Sequence, residues 1–309
     1  MSPGVDPPVV LKEVSKWFGD VVAVSEIDLS FSPGVTALLG PNGAGKSTVL
    51  RLVAGLARPS RGEVRVVGHD PSRGGEAARA IGIAPQQEGM FDRYTAVDFV
   101  RVAAVLHGVD EPAEASRRAL QRAGLDPALD RPIATFSKGM RQRVKLAQAL
   151  VNDPRVVLLD EPLNGLDPRG REEMIEIFSR IADDGRVVIV SSHVLEEVER
   201  IGPRIAVIAR GRLAAEGDYR DIRALLDDRP RRMRIRSDRP RQLAASLIGD
   251  GLCIGAQLAP DGGIEIETDQ APALQRAVLA RAKDADAVVT EFVPLDEDLE
   301  SVFKYLVDD

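Results

Sequence analysis

The residues with the clearest chemical meaning form one loop, Gly40-Pro41-Asn42-Gly43-Ala44-Gly45-Lys46-Ser47-Thr48. The loop follows an apolar run, Val35 to Leu39, and apolar residues at helical spacing come after it. In this strand–loop–helix setting, the pattern G-x-x-x-x-G-K-S is typical of a phosphate-binding loop. Its glycines let consecutive backbone N–H groups point at phosphate oxygens, and the helix adds the positive end of its dipole. We therefore predict that the loop binds a nucleoside triphosphate.

The same chemistry predicts a magnesium ion beside the phosphates. Lys46 is expected to reach the β- and γ-phosphates, and Ser47 to ligate the ion between them. Asp160 ends the apolar run 156–159, where an acid is costly unless it has a partner such as magnesium. Glu161 would then face the γ-phosphate and polarise the attacking water. The alternative interpretation is that Asp160 and Glu161 only cap the following turn.

Alternating strand and helix patterns bring these groups to one sheet edge. Continuous apolar runs at 81–84, 156–159, 187–190 and 205–208 predict parallel strands that are buried on both faces. Helical patterns between these runs predict a doubly wound α/β sheet, which binds ligands at the carboxyl ends of its strands. Because His193 follows the third run, it is expected at that edge.

Two further regions surround this predicted core. Residues 9–36 predict short strands around a Gly19-Asp20 turn, and residues 92–123 predict a charged helical insert. The aromatic pair Trp17-Phe18 precedes the turn and has two interpretations. It either packs in the core or stacks on a nucleotide base, and sequence position does not decide between them.

Composition narrows the class of protein. A net charge of −7 argues against a general nucleic-acid binder, and the single cysteine, Cys253, lies in an apolar run and is expected to be buried. We find no signal-peptide pattern at the start and no stretch near the roughly 18 apolar residues needed to span a bilayer. Any membrane part is therefore expected in another chain.

The composition changes near residue 228, which predicts a second domain over 229–309. The predicted elements are strand 231–236, helix 240–248, strands 252–258 and 263–268, helix 271–283, strand 287–293 and helix 296–306. This βαββαβ order is that of a ferredoxin-like α+β domain with one added helix. Seven arginines within 229–241 indicate either a solvated strand face or a contact with anionic lipid or an acidic partner.

The ordered motifs of residues 9–220 resemble the ATP-binding cassette (ABC) ATPases. Residues 40–48 match the Walker A motif, 156–161 match Walker B with its glutamate, 136–140 lie at the LSGGQ signature and 164–167 match the D-loop. Gln86 matches the Q-loop, His193 the switch histidine and Phe18 the aromatic that stacks on the base. The resemblance implies a P-loop NTPase core within residues 1–228, with a small antiparallel β subdomain and a helical insert at about 86–150.

The resemblance also implies roles for individual residues. ATP and Mg²⁺ would be bound by residues 40–48, with Asp160 and Gln86 joining Ser47 around the ion. Glu161 would be the general base, His193 would hold the γ-phosphate, and Gln86 would sense the γ-phosphate while linking to a membrane partner. Two copies would face head to tail, so that Ser137 and Gly139 contact the γ-phosphate bound by the other copy. Asp167 would couple the two sites.

The signature departs from the family pattern, since it is Phe-Ser-Lys-Gly-Met. The serine and second glycine that touch phosphate remain, and this form is similar to bacterial exporter ATPases whose permease is a separate chain. The resemblance therefore implies an ATP-hydrolysing homodimer that powers export through an integral membrane permease. The homodimer would be a peripheral protein at the cytoplasmic face of the cell membrane, and it would not bind nucleic acid. The alternatives are a soluble ABC ATPase that acts outside transport and a regulatory subunit that binds ATP without hydrolysing it.

Overall fold

The computed structural model describes residues 7–87, 89–225, 230–260, 262–295 and Phe303. The chain divides into two compact units, Met1–Asp218 and Tyr219–Asp309. The division falls ten residues before the predicted boundary at 228, because a helix that the sequence pattern did not predict belongs to the second unit. Each unit has a hydrophobic core of its own.

The first unit alternates strands and helices. Its strands are β1 (Val9–Phe18), β2 (Val21–Phe31), β3 (Gly34–Leu39), β4 (Arg61–Val66), β5 (Ile81–Ala84), β6 (Val156–Asp160), β7 (Val187–Ser192), β8 (Arg204–Ala209) and β9 (Arg212–Asp218). Its helices are α1 (Lys46–Val53), α2 (Glu76–Arg79), α3 (Ala96–Leu106), α4 (Pro112–Arg122), α5 (Lys138–Leu150), α6 (Pro168–Asp183) and α7 (Leu195–Ile201).

The central sheet positions the predicted site. Its six strands have the order β5-β6-β7-β3-β8-β9, and every neighbouring pair is parallel except β8 and β9. All of β6 and β7 is buried, as continuous apolar runs require. The parallel α/β core is therefore confirmed, and β9 is an antiparallel edge strand that the sequence did not predict. The carboxyl ends of β3, β6 and β7 meet at one edge.

Two smaller parts complete this unit. Strands β2, β1 and β4 form an antiparallel sheet in that order, and the Gly19-Asp20 turn joins β1 to β2 as predicted. Helices α3 and α4 contact each other and α5, which gives the predicted helical insert. The inner stripe predicted for α5, which includes Val144, Ala147 and Leu150, is buried.

The second unit contains α8 (Tyr219–Leu225), β10 (Arg231–Ser237), α9 (Pro240–Gly249), β11 (Gly255–Leu258), β12 (Ile264–Thr268), α10 (Ala271–Asp284) and β13 (Val289–Pro294). Its four strands are antiparallel in the order β11-β12-β10-β13. Apolar residues of β10, β12, α9 and α10 form the core, and Cys253 is buried there as expected. The predicted helix 296–306 lies outside the described residues apart from Phe303.

The arginines of β10 lie among acidic neighbours. Arg232 pairs with Glu265 of β12 at 2.8 Å, and Arg236 pairs with Glu291 of β13 at 2.7 Å. Met233 and Ile235, which alternate with them, are buried. This alternation favours the solvated-face interpretation of the arginine run. Among the described residues, no helix combines the length and the apolar character that crossing a membrane demands.

Ile235→Ala tests whether the two cores are independent. The side chain is fully buried, so its truncation should lower the free energy of unfolding of the second unit by about 2–5 kcal/mol. Hydrogen exchange should report this loss in β10, β12 and β13, while exchange in β6 and β7 stays as in the wild type. Ile254→Ala, at a position 61% exposed, is the matched control. Equal acceleration of exchange in β6 and β7 would contradict independent cores.

Candidate nucleotide site

The loop between β3 and α1 has the backbone that a phosphate cradle requires. Gly43 and Gly45 adopt φ angles of 80° and 112°, which L side chains rarely reach. A Cβ on Gly45 would also lie only 2.7 Å from the carbonyl oxygen of Ala23. Helix α1 starts at Lys46 with no acidic residue in its first turn, so its N-terminus is open to an anion.

The loop forms one wall of a cleft of about 470 Å³. The lining residues are Asn42, Gly43, Gly45, Lys46, Ser47 and Thr48 from the loop and α1, Val21, Val22 and Ala23 from β2, and Gln86 and Glu161. The structure thus brings Gln86, which follows β5, and Glu161, which follows β6, to the predicted loop. The position of Gln86 is fixed in part by Lys145, whose Nζ donates to its carbonyl oxygen at 3.2 Å.

Lys46 is held at the centre of this cleft. Its Nζ donates to the carbonyl oxygens of Gly40 at 2.7 Å and Pro41 at 3.2 Å, and it lies 3.5 Å from Oε1 of Glu161. Both charged side chains are 6% exposed. A buried ammonium with carbonyl and carboxylate neighbours is pre-positioned for the negative charge of a phosphate chain.

Asp160 and Ser47 form an oxygen cluster that fits a magnesium ion. Ser47 Oγ donates to Asp160 Oδ1 at 3.2 Å, and Ser191 Oγ donates to the same oxygen at 2.7 Å. Carboxylate and hydroxyl oxygens are the ligand types that Mg²⁺ takes, usually with phosphate oxygens completing its shell. Since strand β6 and helix α1 bring these oxygens together, the described residues fit the ion that the sequence predicts.

Glu161 has an unusual backbone and contacts two basic side chains. It is a non-glycine residue with φ of 52°, a conformation that typically costs about 1–3 kcal/mol and is found at functional sites. Its N–H donates to Ser191 Oγ at 2.9 Å, and its Oε2 lies 2.9 Å from His193 Nδ1. One carboxylate therefore contacts both Lys46 and His193, so the structure joins three of the predicted site residues.

Sequence reasoning missed Ser191 and the β2 wall of the cleft. Ser191 lies beside Asp160 in the parallel register of β6 and β7. The ends of both strands were visible in the sequence, but their adjacency was not, because strand order does not follow from apolar runs. The three β2 residues carried no signal, since backbone and small apolar side chains form that wall.

The aromatic pair does not line the described cleft. Trp17 and Phe18 are 45% and 49% exposed, so the core-packing interpretation is wrong for both. Phe18 pairs with Val21, a lining residue, across the turn between β1 and β2. Lys16 Nζ lies 4.8 Å from the centre of the Phe18 ring. Base stacking by Phe18 stays a prediction.

Ser137, Gly139 and Asp167 also lie apart from the described lining. Ser137 is exposed and caps α5, where its Oγ accepts the N–H of Met140 at 3.2 Å. Asp167 caps α6 by accepting the N–H of Gly170 at 2.9 Å. Both caps are local structural functions. The predicted contacts of these residues with a nucleotide in a second copy are not represented in a single chain.

Gly45→Ala should weaken nucleotide binding. The new methyl group would meet the Ala23 carbonyl, and the backbone would be strained at φ 112°, so the N–H groups of the loop would lose their arrangement. We expect the Kd for ATP in calorimetric titration to rise by a factor of about ten or more. A tenfold rise corresponds to a loss of about 1.4 kcal/mol of binding free energy. Gly185→Ala, at φ 79° in open space between α6 and β7, is the control and should bind normally. Unchanged affinity in Gly45→Ala would refute the cradle.

Comparison with known proteins agrees with this geometry. A family model described as ABC transporter matches residues 24–164. The Nod factor export ATP-binding protein I of Sinorhizobium fredii is 39% identical over 216 residues, which cover 69% of this chain and 63% of that protein. The protein of the same name from Cupriavidus metallidurans is 35% identical over 216 residues, which cover 69% of this chain and 71% of that protein.

Solved structures with a similar fold belong to the same family. An ATP-binding subunit of an ABC transporter is similar with a TM-score of 0.63 and 30% identity, covering 71% of this chain and 92% of that chain. A bacterial ABC transporter cassette solved as a dimer has a TM-score of 0.61 and 26% identity, covering 68% of this chain and 98% of that chain. With its phosphate-binding loop and Walker B acids assembled at one sheet edge, the chain belongs to the ABC transporter family of ATP-binding proteins.

Proposed function

We propose that this chain binds and hydrolyses ATP and that a homodimer of it powers export through a separate membrane permease. The observation that carries the proposal is the environment of Glu161. Its buried carboxylate lies between Lys46 at 3.5 Å and His193 at 2.9 Å, beside the cleft formed by the phosphate-binding loop. A carboxylate in this position can accept a proton from water next to a bound γ-phosphate.

Each of the site residues has a different role in hydrolysis. The loop N–H groups and Lys46 bind the phosphate oxygens and oppose the charge that develops on them. Ser47 and Asp160 would hold Mg²⁺, with Gln86 close by, and the ion would neutralise charge on the β- and γ-phosphates. Water attacks the γ-phosphorus, the bond to the β–γ bridging oxygen breaks, and the water proton passes to Glu161. His193 orients Glu161 and would contact the γ-phosphate.

We infer that the complete site needs a second copy of the chain. Ser137 and Gly139 stand at the start of α5, a helix of 13 residues, and Ser137 is exposed. Neither belongs to the described lining of the cleft, so their N–H groups have no phosphate to bind in the same copy. A head-to-tail dimer would supply one, and a related cassette was solved as a dimer. Asp167, on the neighbouring loop, would then lie near the contact between the copies.

The transport part of the proposal comes from the relatives and from exposed apolar side chains of the helical insert. Both curated relatives described above are named as export ATP-binding proteins. On the helical insert, Phe91, Val105 and Leu106 are 55%, 60% and 81% exposed. We propose that the permease covers these side chains, because contact with a partner would remove them from water. Gln86, at the start of the insert, would connect that contact to the nucleotide, and the chain would lie at the cytoplasmic face of the membrane.

We further propose that residues 229–309 form a ferredoxin-like accessory domain and that residues 1–228 form the ATPase domain. The support is the order of elements, βαββαβ, together with the antiparallel strand order β11-β12-β10-β13. The exchange measurement on Ile235→Ala tests whether this domain has a core of its own.

Glu161→Gln tests the hydrolytic mechanism. The amide keeps the shape of the side chain but cannot take the proton, so turnover should fall by a factor of about 10² or more. ATP affinity measured by titration should stay near the wild-type value, because the loop is intact. Glu176→Gln, at an exposed position of α6, is the control. Undiminished phosphate release by Glu161→Gln would rule out Glu161 as the base.

The transport proposal has its own test. If a membrane protein is encoded beside this gene, the two chains should copurify from detergent, and the permease should raise the rate of ATP hydrolysis. Replacing exposed Leu106 by Glu should abolish copurification without changing the basal hydrolysis of the isolated chain. Copurification that survives this change would contradict a permease contact at the insert.

A further inference from the structure

Ser192 forms a small turn around His193. Its Oγ accepts the N–H of Val194 at 3.0 Å and donates to Oε2 of Glu197 at 2.7 Å. Ser192 and Glu197 are 1% and 5% exposed. The residues on both sides of His193 are therefore tied to one hydroxyl, and that hydroxyl is tied to one buried carboxylate.

Glu197 also reaches a second helix. A buried carboxylate needs a cationic or hydrogen-bonding partner, because desolvation alone would cost several kcal/mol. Oε1 of Glu197 lies 3.5 Å from Nε of Arg171, which belongs to the first turns of α6. The N–H of Arg171 donates to the carbonyl oxygen of Asp167, the residue that caps α6. Glu197 on α7 is thus joined to the start of α6.

His193 lies between Ser192 and Val194, the two residues that this hydroxyl joins. Its ring is partly exposed, at 35%, and its Nδ1 meets Glu161 at 2.9 Å. A shift of about 1 Å at a reacting group can cost a factor of about 10² in rate. Holding the backbone at 192–194 therefore matters more for turnover than for the binding of nucleotide by the loop.

We infer that Glu197 is a positioning residue for ATP hydrolysis, which sets His193 through Ser192 and links it to α6 through Arg171. The inference rests on the hydrolytic function proposed above. It assigns a purpose to a buried carboxylate that the mechanism does not otherwise use. It also provides a physical route by which a displacement of the loop before α6, at Asp167, reaches the contact between His193 and Glu161.

Glu197→Gln is the central variant, because it keeps the size of the side chain but removes the charge that pairs with Arg171. We expect kcat to fall about tenfold while the Kd for ATP stays within about twofold of the wild-type value. Glu196→Gln is the matched control. Glu196 is the neighbouring residue on α7, is 70% exposed and pairs with Arg200 at the surface, so its variant should hydrolyse ATP normally.

A double-mutant cycle separates positioning from stability. In a His193→Ala background, Glu197→Gln should change kcat by less than about twofold, since there is no ring left to position. An independent tenfold loss in that background would overturn the inference. So would a loss of kcat and ATP affinity that follows the fraction of folded protein in thermal melts.

Two further measurements distinguish failure of this inference from misfolding of the variant and from failure of the proposed function. If Glu197→Gln does not fold, Ser192→Ala cuts the same connection from the other end and should give the same loss of kcat with normal ATP affinity. If the wild-type chain does not hydrolyse ATP, the proposed function fails. If the wild type hydrolyses ATP and Glu197→Gln matches it, only the assignment of Glu197 fails.

Discussion

The carboxylate of Glu161 is the point on which the rest of the site depends. It is buried, it follows strand β6 in a left-handed backbone conformation, and it contacts both Lys46 and His193. Such a group is stable only when its surroundings fix it from several sides. The parallel sheet provides this, because the ends of β3, β6 and β7 bring the loop, the acid and the histidine to one edge. Ser191 completes the arrangement by bonding both Asp160 and the Glu161 backbone.

The polar groups around this carboxylate form two layers with different functions. Lys46, Ser47 and Asp160 face the cleft and are suited to bind phosphate and magnesium. Behind this first layer, Ser191 holds the Asp160 side chain and the Glu161 backbone, and the Ser192–Glu197 pair holds the backbone beside His193. Because Ser191, Ser192 and Glu197 all take part in hydrogen bonds, the first layer can keep charged groups close together before any ligand arrives.

Much of this was predictable from the sequence, for identifiable reasons. The phosphate-binding loop and the buried strands have local signals, namely glycines at fixed spacing and continuous apolar runs. Strand β9 and Ser191 were missed because they depend on which strands lie side by side, and a single sequence does not reveal this. Glu197 was missed for a related reason. On helix α7 it resembles the exposed Glu196, and only tertiary packing buries one of the two.

If one chain carries half of each ATP site, as proposed, ATP must join two copies, and the mass of the protein in solution measures this. In light scattering, Glu161→Gln with ATP should have the mass of a dimer. Unhydrolysed ATP would stay bound between the phosphate-binding loop of one copy and the signature of the other. Adding Ser137→Asp keeps a helix cap but places a carboxylate against the phosphate of the second copy. This double variant should be a monomer that still binds ATP in titration. An ATP-bound dimer that survives Ser137→Asp would contradict the proposal.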